Sequence, residues 1–403
     1  MTAATPKQGD TWRVLGVTLA IQAMVSMAVL TIPAIAPAFA ERLHVPVSLL
    51  GVFVVLVYSG AILASLISGQ LVRRFGAIRL SQAGLLFCAT GLLLTMAPSV
   101  WAVAPGAFLI GLGYGPITPA SSHLLAISTP AHRAGLVFSI KQTGVPVGGM
   151  LAGAVAPPLA LQAGPLAAVA VVLAACLICV LLGQPLHATH DTDRVPGTPM
   201  RIGGLLRPLR LVLAHAGLRR LATTSFVFSG VQLCLAAYLV TYLHTELAFD
   251  LISAGIALSM AQVGGVIGRI MWGYVADRFL GATRTLITLS LLMAGGSIAT
   301  GLLGEQASFV WVMALAVAFG AAATGWNGVY LAAVARLAPE GMAGTATGGA
   351  LSVTFFGVLL VPAAFGLVSD AAGSLGAGYV LLALPALLCA VVLLRALKLG
   401  GER

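Results

Sequence analysis

Long apolar runs constrain this chain more than any other feature of it. Stretches of about twenty residues with almost no charge recur from residue 12 to residue 397, parted by short polar breaks. A helix needs about 20 apolar residues to cross a hydrocarbon core about 30 Å thick. A soluble fold has no place for this much apolar surface, because the share of surface that folding buries is set by domain size. Only 8% of the residues are charged, against about 25% in soluble domains. In lipid every backbone polar group needs a partner within the chain, so the runs read as helices. Twelve can be drawn, at 12–40, 47–71, 78–97, 101–126, 134–158, 164–186, 218–244, 251–275, 284–303, 307–335, 342–369 and 375–397. The expected fold is an all-α membrane protein with twelve transmembrane helices, called spans 1 to 12 below.

Charge sets the orientation. A soluble chain with a net charge of +10 would point to nucleic acid. Here the distribution gives another reason for it. Of 21 Lys and Arg, 18 fall on one side of the spans, Arg42 alone on the other, and Lys141 and Arg269 inside spans. Cytoplasmic loops carry such an excess. Both termini are therefore expected in the cytoplasm of a bacterial inner membrane, with no nucleic-acid partner. The five cysteines all lie in apolar runs, and even Cys176-x-x-Cys179 reads as packing. The sequence holds no metal-ligand cluster and no nucleophile–base–acid set, so neither an enzyme nor a bound cofactor is expected.

The chain also repeats itself. A basic stretch at 187–217 separates 1–186 from 218–403, giving two six-span bundles joined by a linker. Gly69-Gln70-Leu71-Val72-Arg73-Arg74-Phe75-Gly76 after span 2 matches Gly273-Tyr274-Val275-Ala276-Asp277-Arg278-Phe279 after span 8, 204 residues later. Pro130 to Gly135 matches Pro339 to Gly344, 209 residues later. Two matches in one order at nearly one offset mark a duplicated unit. Duplicated halves are one plan used by secondary transporters.

On these residues and this topology the sequence resembles the major facilitator superfamily. The family's loop between spans 2 and 3 reads G-x-L-x-D-R-x-G-R-[RK]. The second copy here keeps Gly273, Asp277, Arg278 and Arg284. The first keeps Gly69 and Arg74 but has Arg73 in place of the acid. The resemblance implies a latch in which that acid caps a neighbouring helix N-terminus, where a carboxylate is favoured, and holds the cytoplasmic side shut. Asp277 carries it on this reading, and the first copy lacks it. Span 5 resembles the superfamily's glycine-rich antiporter motif through Gly135, Gly144, Gly148 and Gly153, with Gly149 where a proline is expected. Read from the residues alone, Gly144, Pro146 and Gly148 fit close helix packing and a hinge.

All eleven acids fall in tails, loops or helix ends, whereas two cations fall in mid-span. Lys141 is eight residues beyond Arg133, and Arg269 is eight before Asp277. At about 1.5 Å per residue both lie roughly 12 Å deep, near the midplane. A basic residue there costs about 2.5–3.5 kcal/mol on insertion scales, and 12 Å is a long reach for a snorkelling side chain. An anion site explains the pair better, and in this family spans 5 and 8 meet at a central cavity. Gln142, Asn327, Tyr114, Gln22, Tyr58 and Gln262 are candidate polar linings. Trp326 and Tyr330 share a face at i,i+4 spacing. Span 8 further resembles the organic-anion branch of the superfamily, the monocarboxylate transporters and oxalate–formate antiporters. A substrate-binding arginine stands there at the position of Arg269.

The expected function is secondary transport of a small organic anion, a carboxylate, by anion exchange or by symport with protons. A monomer in the bilayer is expected. The alternative is a proton-coupled multidrug or metabolite efflux antiporter. The span 5 glycines favour it, and the lack of a mid-membrane carboxylate weighs against it.

Overall fold

The computed structural model describes residues 8–45, 50–191, 194–195, 197, 206–249, 251–304 and 306–398. Among these the regular structure is helical: α1 (Gln8–Ala34), α2 (Ala36–Leu43), α3 (Leu50–Phe75), α4 (Ala77–Thr95), α5 (Val100–Tyr114), α6 (Ile117–Ser128), α7 (Ala134–Gln142), α8 (Gly144–Ala163), α9 (Pro165–His190), α10 (Arg207–Ala214), α11 (Ala216–Thr245), α12 (Leu251–Val275), α13 (Gly281–Gly301), α14 (Phe309–Gly325), α15 (Asn327–Leu337), α16 (Ala343–Ala372) and α17 (Leu375–Lys398). Short 3-10 and π turns lie between some of them. Eleven helical runs are long and apolar enough to cross a membrane. One of them, Ser253–Gly301, has 49 residues, or about 74 Å of helix, more than twice a bilayer core. It holds both α12 and α13, joined by a π turn at Ala276–Leu280 and by Gly281 at φ 72°. Counting it as two gives the twelve spans.

Three spans are interrupted near their middles. Span 4 is α5 and α6, span 5 is α7 and α8, and span 10 is α14 and α15. Pro116 and Pro119 explain the first break, since proline gives up an N–H and clashes with the preceding turn. Span 5 breaks at Thr143, directly after Lys141-Gln142. The stretch expected as linker holds the end of α9 and the short helix α10.

The chain forms two compact units. One comprises Met1–Pro130, Lys141–Ala214 and Ala338–Ser352, and the other Ala131–Ile140, His215–Leu337 and Val353–Arg403. In the first, α1 packs on α8 and α9, and α3 and α4 pack on α5; in the second, α12 packs on α14 and α13 on α17. Glycine permits the closest approaches. A Cβ added to Gly60 would collide with the backbone carbonyl of Phe108, and one added to Gly111 with that of Val57. In the second unit Gly264 stands so against Val317, and Gly320 against Ala261. At offsets of 204 for spans 2 and 8, and 209 for spans 4 and 10, these contacts map onto one another. The duplication thus holds residue by residue in the packing.

This crossing makes a stability prediction. Gly320→Ala should lower stability by about 1–3 kcal/mol, the usual cost of overpacking. Gly295→Ala, with nothing within 4 Å of the added Cβ, should be nearly neutral. Melting temperatures of the two purified variants in detergent test this, and equal values would contradict the proposed close contact.

Candidate functional site

Both mid-span cations are buried, Lys141 at 1% exposure and Arg269 at 2%. Each sits beside a helix interruption in its own unit. In the first unit the Lys141 ammonium donates to Gln22 Oε1 at 2.7 Å, Gln142 Oε1 at 3.0 Å and Thr118 Oγ1 at 3.2 Å. Thr118 in turn donates to Gln22 Oε1 at 3.0 Å. Thr118 stands in the first turn of α6, just past the span 4 break. An ammonium carries donors only, and these neutral oxygens accept from it. Lys141 is thereby fixed in position, and Gln22 and Gln142 are drawn to it as the sequence placed them.

In the second unit Arg269 Nε donates to Thr324 O at 3.1 Å, one residue before the end of α14. Asn327 Nδ2 approaches the same carbonyl at 3.4 Å and Gln232 Oε1 at 3.4 Å. Trp326 Nε1 donates to Gln232 Oε1 at 3.2 Å. Arg269 and Asn327 therefore converge on one oxygen, with Trp326 and Gln232 at their side. Trp326 packs edge-on against Phe228 at 5.6 Å and at a tilt against Tyr330 at 5.3 Å. The Tyr330 hydroxyl lies 3.5 Å from Thr354 Oγ1, which donates to Ser225. Asn327 and Gln232 are half-buried, in contrast to the fully buried Arg269, Trp326 and Tyr330.

The repeat explains what Arg269 does locally. Its counterpart 204 residues earlier is Ser65, and the counterpart of Thr324, 209 residues earlier, is Gly115. Ser65 Oγ donates to Gly115 O at 2.9 Å. That carbonyl cannot be served by residue i+4, because Pro119 has no N–H. The same brace is made by a small neutral hydroxyl in one half and by a guanidinium in the other. The charge at Arg269 is therefore additional to the brace.

The other candidates are spread more widely. Tyr114 is half-buried against the first unit's core, Tyr58 is half-buried on α3, and Gln262 is exposed on α12. Gly144 and Gly148 let α8 approach α1, where an added Cβ on Gly144 would come within 2.8 Å of Leu19 O. Pro146 lies in the first turn of α8, next to the break. Thr118, Thr324 and Ser65 escaped the sequence reading. The missing N–H of Pro119, combined with the repeat register, is the signal that points to Ser65.

Asp277 accepts from Gly135 N at 2.9 Å and from Leu136 N at 2.7 Å, in the first turn of α7. Arg336 places positive charge near it. Gly273 admits this crossing: a Cβ there would come within 2.8 Å of Gly135 O. Arg278 and Arg284 are exposed. In the first unit Gly69 abuts Thr345 of α16, Arg74 stacks over Phe75 at 5.3 Å, and Arg73 O accepts from Val195 N at 2.7 Å.

Comparison with known proteins agrees with this architecture. Residues 17–362 match the model of the Major Facilitator Superfamily, and the chain belongs to that family. It is a membrane transporter rather than an enzyme. It is 24% identical over 330 residues to a gentisate transporter of Corynebacterium glutamicum, covering 76% of this chain and 70% of that one. It is 33% identical over 120 residues to a benzoate transport protein of Acinetobacter baylyi, covering 30% of this chain. That second match spans only 25% of the benzoate protein's length. The E. coli fucose:proton symporter FucP superposes with a TM-score of 0.74 at 17% identity, over 94% of this chain and 98% of its own. This likeness establishes the fold.

The Asp277 cap supports a test of the latch. Asp277→Asn replaces one of two acceptor oxygens with a donor facing a backbone N–H. The α7–α12 crossing should loosen. Ser139, fully buried between Gly273 and Gly328, is the reporter. In a background without native cysteines, Ser139→Cys should react several-fold faster with a maleimide when Asp277 is also changed. An unchanged rate would remove Asp277 as a closing contact.

Proposed function

We propose that this protein is a secondary transporter of small organic anions, aromatic carboxylates foremost, with Arg269 as the group that binds the carboxylate. The carrying observation is the buried guanidinium, held through Nε at the span 10 break, where the other half of the chain manages with a serine. Burying a charge at this depth costs several kcal/mol, and the fold has a neutral way of making the same brace. A charge kept under those terms has a use. Arginine offers a planar fork that matches a carboxylate, which lysine does not.

The neighbourhood suits an aromatic acid. Trp326 and Tyr330 offer ring faces, and Gln232 and Asn327 offer polar anchors, the usual make-up of a ligand site. Half-buried Asn327 marks the side from which a ligand reaches the cluster. The relatives that transport gentisate and benzoate support the same substrate class. The other unit has its own buried cation, Lys141. The positive-inside pattern supports an inner-membrane location with cytoplasmic termini. Efflux of cationic drugs is the weaker reading, since neither buried cluster holds a carboxylate among its described partners.

The test is uptake of radiolabelled benzoate and gentisate into proteoliposomes, read beside melting temperature. Arg269→Lys should cut kcat/KM at least tenfold, about 1.4 kcal/mol, with a melting temperature close to the parent's. Full activity in the lysine variant would sink the assignment.

Lys141 also bears on coupling. Where transport is driven by a proton, the substrate carries it as a carboxylic acid, since the eleven acids of the sequence fall in tails, loops and helix ends. Lys141→Arg keeps the charge but does not titrate. It should keep both counterflow exchange and accumulation driven by a pH gradient, each at a reduced rate. Loss of gradient-driven accumulation with exchange intact would instead make Lys141 the proton carrier.

A further inference from the structure

The repeat also shows where the halves have parted. In the first half, span 3 begins at Ala77, and a distant carboxylate takes its first amides. Ile78 N and Arg79 N donate to the two oxygens of Asp191 at 2.9 and 3.0 Å. Asp191 follows α9 directly and is 3% exposed. At the 204-residue offset, the matching amides of the second half belong to Ala282 and Thr283, in the first turn of α13. The position matching Asp191, 209 or 210 residues on, holds Gly400 or Gly401 in the sequence. The N-cap Leu280 provides no side-chain cap.

A cavity of about 540 Å³ lies against this turn, lined by Gly281, Ala282 and Thr283 together with His215, Arg220 and Arg336. The first-half positions matching Arg220 and Arg336 are neutral, while Arg79 stands at the position of Thr283. Spans 1 and 7 register at 203 residues, as the contacts of Gly148 with Ala23 and of Gly357 with Phe226 show. That places Val17 opposite Arg220. The 209-residue register places Ile127 opposite Arg336. One half thus brings its own acid, which also lies 4.0 Å from His187 Nε2, and the other gathers arginines around a cavity. An adjoining cavity of about 400 Å³ shares Arg220 and Ala396 and adds Arg219, Arg395 and Val392. Asp277 lies near Arg336, on α12's side.

We infer that this cavity binds a phosphate-bearing anion, the headgroup of an anionic phospholipid, which takes the role that Asp191 fills in the first half. Amides at a helix start favour phosphate, and arginine forks bind it with charge-assisted hydrogen bonds. The volume falls in the range of small-ligand sites, about 300–1,000 Å³. Apolar Leu393 and Leu397 complete the wall, as a lipid rather than a free ion requires. Basic pockets between membrane helices at the interface are the setting in which anionic headgroups are held.

The test uses full-length protein stripped of lipid in a neutral detergent. Melting temperature is followed against phosphatidylglycerol, phosphatidylcholine and inorganic phosphate. Phosphatidylglycerol should raise it by several degrees and phosphatidylcholine should not. The paired change Arg220→Gln with Arg336→Gln should weaken the response at least tenfold in concentration. Ala396→Glu sets an acid in the cavity wall and, with both arginines kept, should also abolish the response. An equal response to inorganic phosphate alone keeps the anion site and assigns it to free phosphate. No response in the unmodified protein, or the same response in all three proteins, overturns the inference.

Discussion

A carbonyl released inside a bilayer has no water to turn to, and this constraint organises the structure around its helix breaks. Each unsatisfied backbone group in hydrocarbon costs several kcal/mol. A span interrupted at its middle must recruit a donor from a neighbouring helix. Span 4 recruits Ser65 for Gly115, and span 10 recruits Arg269 for Thr324. The donors must come close, and the glycines let them. Gly111 and Gly320 bring α3 and α12 within backbone contact of their partners. The breaks, the glycines and the donors are thus one device, used once in each half. A break is also where a transporter gains polar groups at the midplane without paying for an exposed backbone.

The features legible in the sequence were those carried by short-range pattern. Apolar runs marked the spans, the basic residues ordered them, and two loop motifs showed the duplication. The pairing of Trp326 with Tyr330 followed from helical spacing. What could not be read was anything settled by contact between distant residues. Acids in loops and helix ends carry no local mark of burial, and Asp191 falls in the stretch that reads as a linker. In the fold it is buried and serves the start of α4, more than a hundred residues earlier in the chain. Arg73 stood out as a missing acid, and nothing nearby in sequence revealed that a carboxylate from the linker serves the helix that follows it. Likewise Lys141 read as a cation in search of an anion. Its oxygen partners come from Gln22 and Thr118, on two other spans. No periodicity announces such a cage.

The duplication gives the functional reading an internal control. Each half solves the same folding problem with nearly the same contacts, so residues needed for the scaffold should recur in both. The glycine crossings recur. The buried cations do not. At the register of spans 2 and 8 the counterpart of Arg269 is Ser65, and at the register of spans 5 and 11 the counterpart of Lys141 is Ala350. Ser65 makes the span 4 brace without a charge, whereas Ala350 lies within the uninterrupted α16. A broken span is therefore braced with and without charge, and the charge at Arg269 exceeds what the brace requires. The two charges also come from spans that are not counterparts, one from span 5 and one from span 8. Symmetric charges would leave the two halves alike. The halves differ in chemistry where they depart from the repeat, and Arg269, which makes with a charge the brace that Ser65 makes without one, is the sharpest case.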